Sequence, residues 1–116
     1  WKQENSKKTP IYITLSSGEL FAFAGLWDLW RGGKDQLISS CTIITSAANQ
    51  TLSPLHHRMP VILGPKEEEM WLSPQSFDKI KALLMPQNNL DLSFRAVNPM
   101  VNSPRNNSPQ CIQPPN

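Results

Sequence analysis

The chain has few of the residues that hold small proteins together through covalent or metal bonds. Its 116 residues include only two cysteines, Cys41 and Cys111, which stand far apart and form no CxxC pair. Two isolated cysteines argue against a structural zinc site and against a disulfide-rich secreted scaffold. We therefore expect both thiols to be reduced, in a cytosolic or nuclear protein.

Long apolar runs are also missing. No stretch approaches the roughly 18 apolar residues that a membrane-spanning helix needs, so we expect no membrane contact. The chain opens on Trp1, with neither an apolar signal segment nor an initiator methionine. This opening predicts a piece of a longer protein.

Charge gives little information about a partner. Charged residues make up 17% of the chain and the formal net charge is +2, which suits a polyanion but is too small to require one. The hydrophobic fraction of 39% excludes a disordered chain. Four tryptophans and four phenylalanines can supply a core. Composition thus predicts one folded domain, or part of one.

The hydrophobic pattern predicts several strands. Residues 1–10 are polar and predict a loop, and residues 11–15 alternate as a half-buried strand does. Residues 20–30 are apolar on both faces, which predicts a strand buried on both sides, with a bend at Gly25. Residues 37–45 follow a glycine-rich turn. These three runs together predict an antiparallel meander, within a strand region that extends to residue 63.

Short helices and an irregular tail are predicted for the remainder. Residues 64–86 carry helix signals, with Ser73 as the N-cap of a second helix and Pro86 at its end. Residues 87–101 contain a further strand, and the proline-rich residues 102–116 predict an extended tail. The expected fold class is α+β: a curved, mainly antiparallel and barrel-like sheet with short helices.

One loop carries side chains suited to proton transfer. His56 and His57 are the only histidines, and Arg58 follows them directly. Imidazole changes its charge near neutral pH, which suits acid–base chemistry. Thr45 lies at the preceding strand, and a strand–loop return would bring it near His56. A lone histidine is nevertheless more often structural than catalytic, so both roles stay open at this point.

Other kinds of site find no support. Two adjacent histidines lack a cysteine or carboxylate at the usual spacing of metal ligands. No GxSxG motif marks a nucleophilic serine, and the glycines at 32–33 lack the flanking pattern of a phosphate-binding loop. The residues alone therefore predict an α+β domain with one candidate proton-transfer histidine.

Several segments together resemble the SOS-response-associated peptidase family. They follow the family's order and spacing over nearly the whole chain. The matching segments are PIYI at 10–13, FAFAGLW at 21–27, TIITSAAN at 42–49, LHHRMPVIL at 55–63 and VNSPR at 101–105. The resemblance implies a protein that shields abasic sites in single-stranded DNA and self-cleaves a short leader. It implies no cofactor.

The resemblance also implies roles for individual residues. The family's nucleophile is an amino-terminal cysteine, whose α-amine and thiol condense with the ring-opened sugar aldehyde to a thiazolidine. His56 would assist sugar ring opening and proton transfer, and Thr45 would act as a catalytic positioning residue. Arg58 matches an arginine that either contacts DNA phosphate or braces the loop.

Two departures from the family limit this carry-over. His57 stands where the family's IHDRMP motif usually has aspartate, so a carboxylate beside His56 is missing. The nucleophilic cysteine has no counterpart, and the glutamate of a GFYEW motif ending at Trp1 would precede the chain. We therefore expect residues 1–116 to be the carboxy-terminal portion of one domain, incomplete at its amino terminus.

Two interpretations of such a portion stay open. In the first, it shares a site with the missing amino-terminal half or with a second copy, and cannot crosslink DNA alone. In the second, it is a non-catalytic fragment or degenerate copy that only binds single-stranded DNA or a protein partner.

Overall fold

A computed structural model describes residues 2–4, 7–33, 36–85 and 90–115. These residues form an α+β fold of short antiparallel strand pairs, two α-helices and two 3-10 helices. The strands are β1 (Lys2–Glu4), β2 (Lys7–Thr9), β3 (Ile11–Leu15), β4 (Ala22–Phe23), β5 (Gly25–Arg31), β6 (Leu37–Ile43), β7 (Thr45–Ala47), β8 (Arg58–Pro60), β9 (Ile62–Leu63) and β10 (Leu92–Ala96). The helices are α1 (Pro65–Leu72) and α2 (Phe77–Ala82), with 3-10 turns at Pro99–Asn102 and Pro109–Ile112. The described residues contain no closed barrel.

Strand pairing departs from prediction in two places. Within residues 1–10, which were predicted as a loop, Lys2–Glu4 and Lys7–Thr9 are strands that pair with each other. β3 pairs with β10 instead of with the next run of the chain, and Ser16 N donates to Asp91 O just beyond that pair. Alternation of apolar and polar residues predicts a strand but not its partner, so the sequence could not predict the pairing of β3 with β10. β5 and β6 do form the predicted hairpin.

A closed ring of three backbone hydrogen bonds lies at the centre of the fold. Ala24 N donates to Val61 O at 2.8 Å, Val61 N to Ile44 O at 2.9 Å, and Ile44 N to Ala24 O at 2.9 Å. At this ring each strand leaves one partner and joins another, so β4 and β5 are two parts of one run. Ala24 is fully buried there.

The predicted bend at Gly25 falls beside this ring. A Cβ at Gly25 would lie 2.9 Å from Thr42 O, closer than side chains approach backbone. Glycine therefore permits the close contact between β5 and β6. Trp71 Nε1 donates to Gly25 O at 3.1 Å and ties α1 to the same point.

The core consists of two small clusters. One contains Leu52, Met59, Ile62 and Leu92. The other contains Ala24, Val61 and Leu63, against which Trp71, Leu83 and Leu84 from the helical region pack.

The predicted burial of residues 20–30 on both faces is wrong for this chain. Trp27 is 76% exposed and Trp30 is 58% exposed. Only β6 lies alongside this part of β5, and no other described element covers either face.

The helices differ from prediction at their junction. Ser73 ends α1 as its C-cap and donates through Oγ to Met70 O at 3.3 Å. The N-cap of α2 is Ser76, so the predicted N-cap role of Ser73 is wrong. Its hydroxyl satisfies a carbonyl of the preceding helix instead. Pro86, predicted to end the second helix, lies outside the described residues. No helix among the described residues is long and apolar enough to cross a membrane.

The carboxy-terminal segment is folded back, not extended as predicted. Asn98 N donates to Gln113 O at 2.9 Å, and Arg95 Nη1 donates to Ile112 O at 2.7 Å. Cys111 is buried in the second 3-10 turn. One side-chain bond from β10 and one backbone bond just after it thus hold this segment in place, an effect that proline content alone does not signal.

Candidate functional site

The predicted site residues Thr45 and Arg58 lie on the β7–β8 pair, and His56 lies in the loop just before β8. Thr45 lies opposite Pro60, and Ala47 lies opposite Arg58. Because side chains alternate between the two faces of a strand, Thr45 and Arg58 share the exposed face. Met59 follows Arg58, lies opposite Ser46 on the other face, and is buried in the core. Thr45 and Arg58 therefore project from a strand pair whose other face is packed against the core.

The guanidinium of Arg58 donates three hydrogen bonds to Thr45 on the neighbouring strand. Nε donates to Thr45 Oγ1 at 3.1 Å, and Nη2 donates to Oγ1 at 2.7 Å and to Thr45 O at 2.6 Å. A diagonal neighbour on the paired strand is within reach of so long a side chain. No hydrogen bond within the described residues occupies Nη1, so that edge of the fork is available to an anion.

The imidazole of His56 is held by the backbone of the same arginine. Arg58 N lies 3.0 Å from His56 Nδ1 and donates to it when Nδ1 carries no proton. Arg58 O lies 2.9 Å from Nδ1 and accepts from it when Nδ1 is protonated. The ring therefore keeps a partner in either tautomer, and no described residue bonds Nε2. A histidine held at Nδ1 with Nε2 open is arranged for proton transfer at Nε2.

His57 stacks on His56. The ring centroids lie 4.5 Å apart with an angle of 20° between the planes. Both side chains are exposed. The pair thus presents a flat aromatic surface beside Arg58.

A buried asparagine anchors the loop that carries these rings. Asn49 Oδ1 accepts from Leu52 N at 3.0 Å, and Asn49 O accepts from Ser53 N at 2.9 Å. Asn49 is 3% exposed, and Leu52 belongs to the core cluster of Met59. Ala48 N donates to the backbone of His57, which closes the loop. Sequence analysis missed Asn49, although an asparagine at the start of a helical turn is the usual cap.

Arg58 links the two residues that the sequence predicted to meet. Its side chain holds Thr45, while its backbone holds His56. The cysteines are not part of this arrangement: Cys41 lies on β6 opposite Trp27, and Cys111 is buried in the folded-back tail. No three His, Cys, Asp or Glu side chains of the described ranges are grouped to hold a metal ion.

Known proteins share both the sequence and the fold. The family model for SOS response associated peptidase (SRAP) matches residues 1–104. The abasic site processing protein YoqW of Bacillus subtilis is 41% identical over 116 residues, which cover 97% of this chain and 52% of YoqW. The rat abasic site processing protein HMCES is 35% identical over 96 residues, covering 82% of this chain and 27% of HMCES. The chain thus spans about half the length of YoqW, and less of HMCES.

A crystal structure from Bacteroides thetaiotaomicron shows the same arrangement. It superposes with a TM-score of 0.87 at 28% identity, over 98% of this chain and 51% of that one. The structural match and the family model cover nearly the same residues, which confirms the resemblance drawn from the sequence. The chain therefore belongs to the SOS response associated peptidase (SRAP) family.

Proposed function

We propose that this chain is the carboxy-terminal portion, residues 1–116, of a protein that processes abasic sites in single-stranded DNA. In this proposal His56 transfers protons, while Thr45 and Arg58 position it and the DNA. The observation that carries the proposal is the double contact of Arg58 with Thr45 and His56 on an exposed face. It is supported by relatives named abasic site processing proteins.

His56 suits the opening of an abasic sugar. The closed sugar is a hemiacetal, and opening it moves a proton from the anomeric hydroxyl to the ring oxygen. With Nδ1–H donating to Arg58 O, Nε2 can accept the first proton and return it to the ring oxygen. The product is a free aldehyde, and His56 ends in its starting protonation state.

Arg58 and the histidine pair suit a flexible strand. The free Nη1 edge of Arg58 can bind a phosphate, and the exposed His57 ring offers a face for an unstacked base. An abasic nucleotide in a single strand reaches such a site without duplex opening. A function on DNA also agrees with the cytosolic or nuclear setting expected from the cysteines.

The covalent step requires a group from outside this chain. A thiazolidine forms when an α-amine and its neighbouring thiol both add to the aldehyde with loss of water. Cys41 and Cys111 are internal residues and have no free α-amine. The crosslink, and the self-cleavage of a leader, therefore belong to the assembled protein, in which a further half completes a curved, barrel-like sheet.

DNA binding tests the proposal directly. A fluorescently labelled single strand with one abasic site should bind the chain, and Arg58→Ala should weaken binding about ten-fold through loss of a charge-assisted phosphate contact. Arg105→Ala, at an exposed arginine of the carboxy-terminal segment, is the matched control and should leave affinity unchanged. Anisotropy titrations at one fixed salt concentration measure both. An equal loss of DNA affinity in Arg58→Ala and Arg105→Ala would show that Arg58 makes no specific contact with the DNA.

A denaturing gel tests the covalent step. The chain alone should give no stable adduct with the abasic strand. An adduct that survives denaturation would show that this chain contains its own nucleophile. It would contradict the proposal that the nucleophile comes from outside this chain.

A second candidate function is a non-catalytic module that binds single-stranded DNA or a protein partner. It is favoured because the only two cysteines of the sequence, Cys41 and Cys111, are internal and so cannot supply the α-amine that the thiazolidine needs. The two candidates differ once the other half is supplied. Crosslinking by the assembled protein, lost in His56→Ala, supports the catalytic function; binding without crosslinking supports the module.

A further inference from the structure

A buried polar side chain lies at the base of the loop that carries His56 and His57. Among the residues that the structure describes, Asn49 is the one polar residue that is buried, and it is 3% exposed. Burying an amide costs free energy unless its polar atoms are hydrogen-bonded. Buried polar groups that are bonded make their surroundings rigid, so the partners of Asn49 indicate what it holds in place.

A short path of hydrogen bonds leads from the Asn49 side chain to the backbone of His56. Leu52 N donates to Asn49 Oδ1 at 3.0 Å, and Leu52 O accepts from His56 N at 3.0 Å. Ser53 N donates to Asn49 O at 2.9 Å. The segment thus forms two successive turns, each closed over four residues, and His56 is the last residue of the second turn. The backbone position of His56 therefore depends on the peptide groups of Leu52, which the Asn49 side chain holds.

The start of this path is itself fixed to the core. Ala48 N donates to His57 O at 3.0 Å and joins the two ends of the loop. Asn49 N donates to Met59 Sδ at 3.3 Å, and Met59 is 4% exposed in the same core cluster as Leu52. The path therefore begins at a rigid point in the core and ends at two exposed imidazoles.

Two restraints of different origin act on His56. The backbone of Arg58 holds ring atom Nδ1, whereas the path from Asn49 holds the backbone of His56 itself. A ring held only at Nδ1 would pivot about that atom when its own backbone moves, and Nε2 would be displaced. Proton transfer needs heavy atoms within about 3 Å of each other, and a misplacement of about 1 Å can lower a rate about a hundred-fold. Both restraints are therefore needed to direct Nε2.

Asn98 makes the same kind of contact elsewhere in the chain. Its Oδ1 accepts from Met100 N at 3.0 Å at the start of a 3-10 turn. The described hydrogen bonds of Asn98 join residues of the carboxy-terminal segment. A side-chain cap stabilises any turn that it caps, so a comparison of the two asparagines separates general stability from an effect on His56.

We propose that Asn49 is a positioning residue for His56, whose side-chain oxygen caps the loop and fixes the backbone from which the imidazole reaches a substrate. The inference rests on the proposed function, because it takes His56 as the group that transfers protons. Asn49 is buried and acts only through the loop. An aspartate would be an equivalent cap, but a charged carboxylate is far more costly to bury than a neutral amide.

Two variants that differ by a single oxygen atom test the side-chain acceptor. Asn49→Ala removes it, whereas Asn49→Ser keeps a hydroxyl that can accept from an N–H of the turn. In Asn49→Ala we expect the amide hydrogens of Leu52 and His56 to exchange about five-fold faster and the His56 ring resonances to broaden. Asn49→Ser should restore both towards the unsubstituted chain, and Asn98→Ala should leave both unchanged. NMR measures the exchange and the ring signals.

The rate of sugar opening provides a second measurement. Methoxyamine traps the open aldehyde of an abasic strand as an oxime with loss of water, and at saturating methoxyamine the trapping proceeds at the rate of ring opening. We expect the chain to accelerate trapping, and Asn49→Ala to lower that acceleration about ten-fold at saturating DNA, since Nε2 is misplaced. The dissociation constant for DNA should stay the same, because Arg58 is retained. Asn49→Ser should recover the rate.

The outcomes separate this proposal from the proposed function. A chain that does not accelerate trapping contradicts the proposed function, and the NMR comparison then decides the role of Asn49. Unchanged His56 signals in Asn49→Ala, equal changes in Asn98→Ala, or no recovery in Asn49→Ser would each overturn the positioning role. A parallel loss of DNA affinity in Asn49→Ala would also count against it. Free exchange of the His56 amide in the unsubstituted chain would overturn it without any variant.

Discussion

Arg58 holds the candidate site together through two different parts of one residue. Its backbone N–H and C=O both lie within hydrogen-bond distance of His56 Nδ1, and its guanidinium binds Thr45 at three points. Hydrogen bonds from a charged donor are stronger than neutral ones and order the groups that they join. The orientation of His56 is therefore set by a strand residue, although the histidine itself lies on a loop.

The stack between the two histidines leads to a prediction about His57. Aromatic stacking contributes about 0.5–1.5 kcal/mol beyond buried area, so the His57 ring restricts the orientation of His56. We expect His57→Ala to move the ring-proton resonances of His56 downfield, since a shielding ring is removed, and to broaden them. Proton NMR of the histidine ring signals measures both effects.

His57→Phe provides the matched control for that measurement. It keeps an aromatic face without a titrating group, so the His56 resonances should stay shielded and sharp. Unchanged His56 resonances in His57→Ala would show that the stack does not restrict the ring.

The sequence predicted His56 and Arg58 from one short segment and Thr45 from another, and Arg58 contacts both of the other residues in the structure. Their roles stay a prediction. The sequence could not identify the stack, which depends on two side-chain torsions. Nor did it single out Asn49. Its role depends on the hydrogen bond that its side chain accepts from Leu52 N, and a sequence does not show that bond. Contacts made through backbone atoms leave little trace in a residue pattern.

The three-way ring of Ala24, Ile44 and Val61 organises the elements around the site. Each residue exchanges hydrogen bonds with both others, so β4–β9, β5–β6 and β7–β8 radiate from one point. The ring requires close approach of three backbones, which explains the small residues Ala24 and Gly25 in an otherwise bulky run.

Gly25 tests how tight this junction is. Gly25→Ala would place a Cβ 2.9 Å from Thr42 O, a backbone atom that cannot turn away. We expect a destabilisation of about 1–3 kcal/mol, as in other overpacked sites, and a melting temperature lower by about 4–10 °C. Thermal unfolding followed by circular dichroism measures the shift.

Gly33→Ala is the matched control for Gly25→Ala. A Cβ at Gly33 meets no atom within 4 Å, so the melting temperature should change little. A similar loss in both variants would attribute the effect to general glycine replacement and not to the junction.

At the scale of elements, the sequence predicted most strands and both helices but not their arrangement. The hairpin of β5 and β6 follows from two runs joined by a short turn, which is local information. The pairing of β3 with β10 joins residues about 80 positions apart, and only tertiary packing selects it. Ser73 was misassigned because one hydroxyl can cap the helix before it as readily as the helix after it.

The molecule as a whole has little core for its surface. Its two buried clusters are small, and no large side chain of the described residues is completely buried. Burial of apolar surface is the main favourable term in folding, so an isolated chain of this shape is marginally stable. The sequence correctly showed strands apolar on both sides, but only the structure shows that no other described part of the chain covers them.

This marginal stability predicts a strong response to the partner. A ligand that binds only the folded state stabilises it by about 2.7 kcal/mol at a hundred times its dissociation constant. We expect the melting temperature of the chain to rise by about 10 °C under that condition when the part of YoqW outside the matched region is added. Differential scanning fluorimetry across a concentration series measures the rise.

Bovine serum albumin at equal mass concentration is the control for crowding and should produce little change. A melting temperature independent of that part of YoqW would show that it does not bind the folded chain.

The backbone ring also fixes the register in which β7 pairs with β8, and so the position of Thr45 opposite the strand of Arg58. The chain runs without a break from the hairpin strand β6 through Ile44 into β7, which carries Thr45. A slip of one residue in a strand turns every side chain to the opposite face. Such a slip would put Thr45 on the core side and Ser46 beside Arg58, and the ring prevents it because Ala24 and Val61 both hold Ile44 in place. The alignment of the site is thus decided at a fully buried alanine that takes no part in its chemistry.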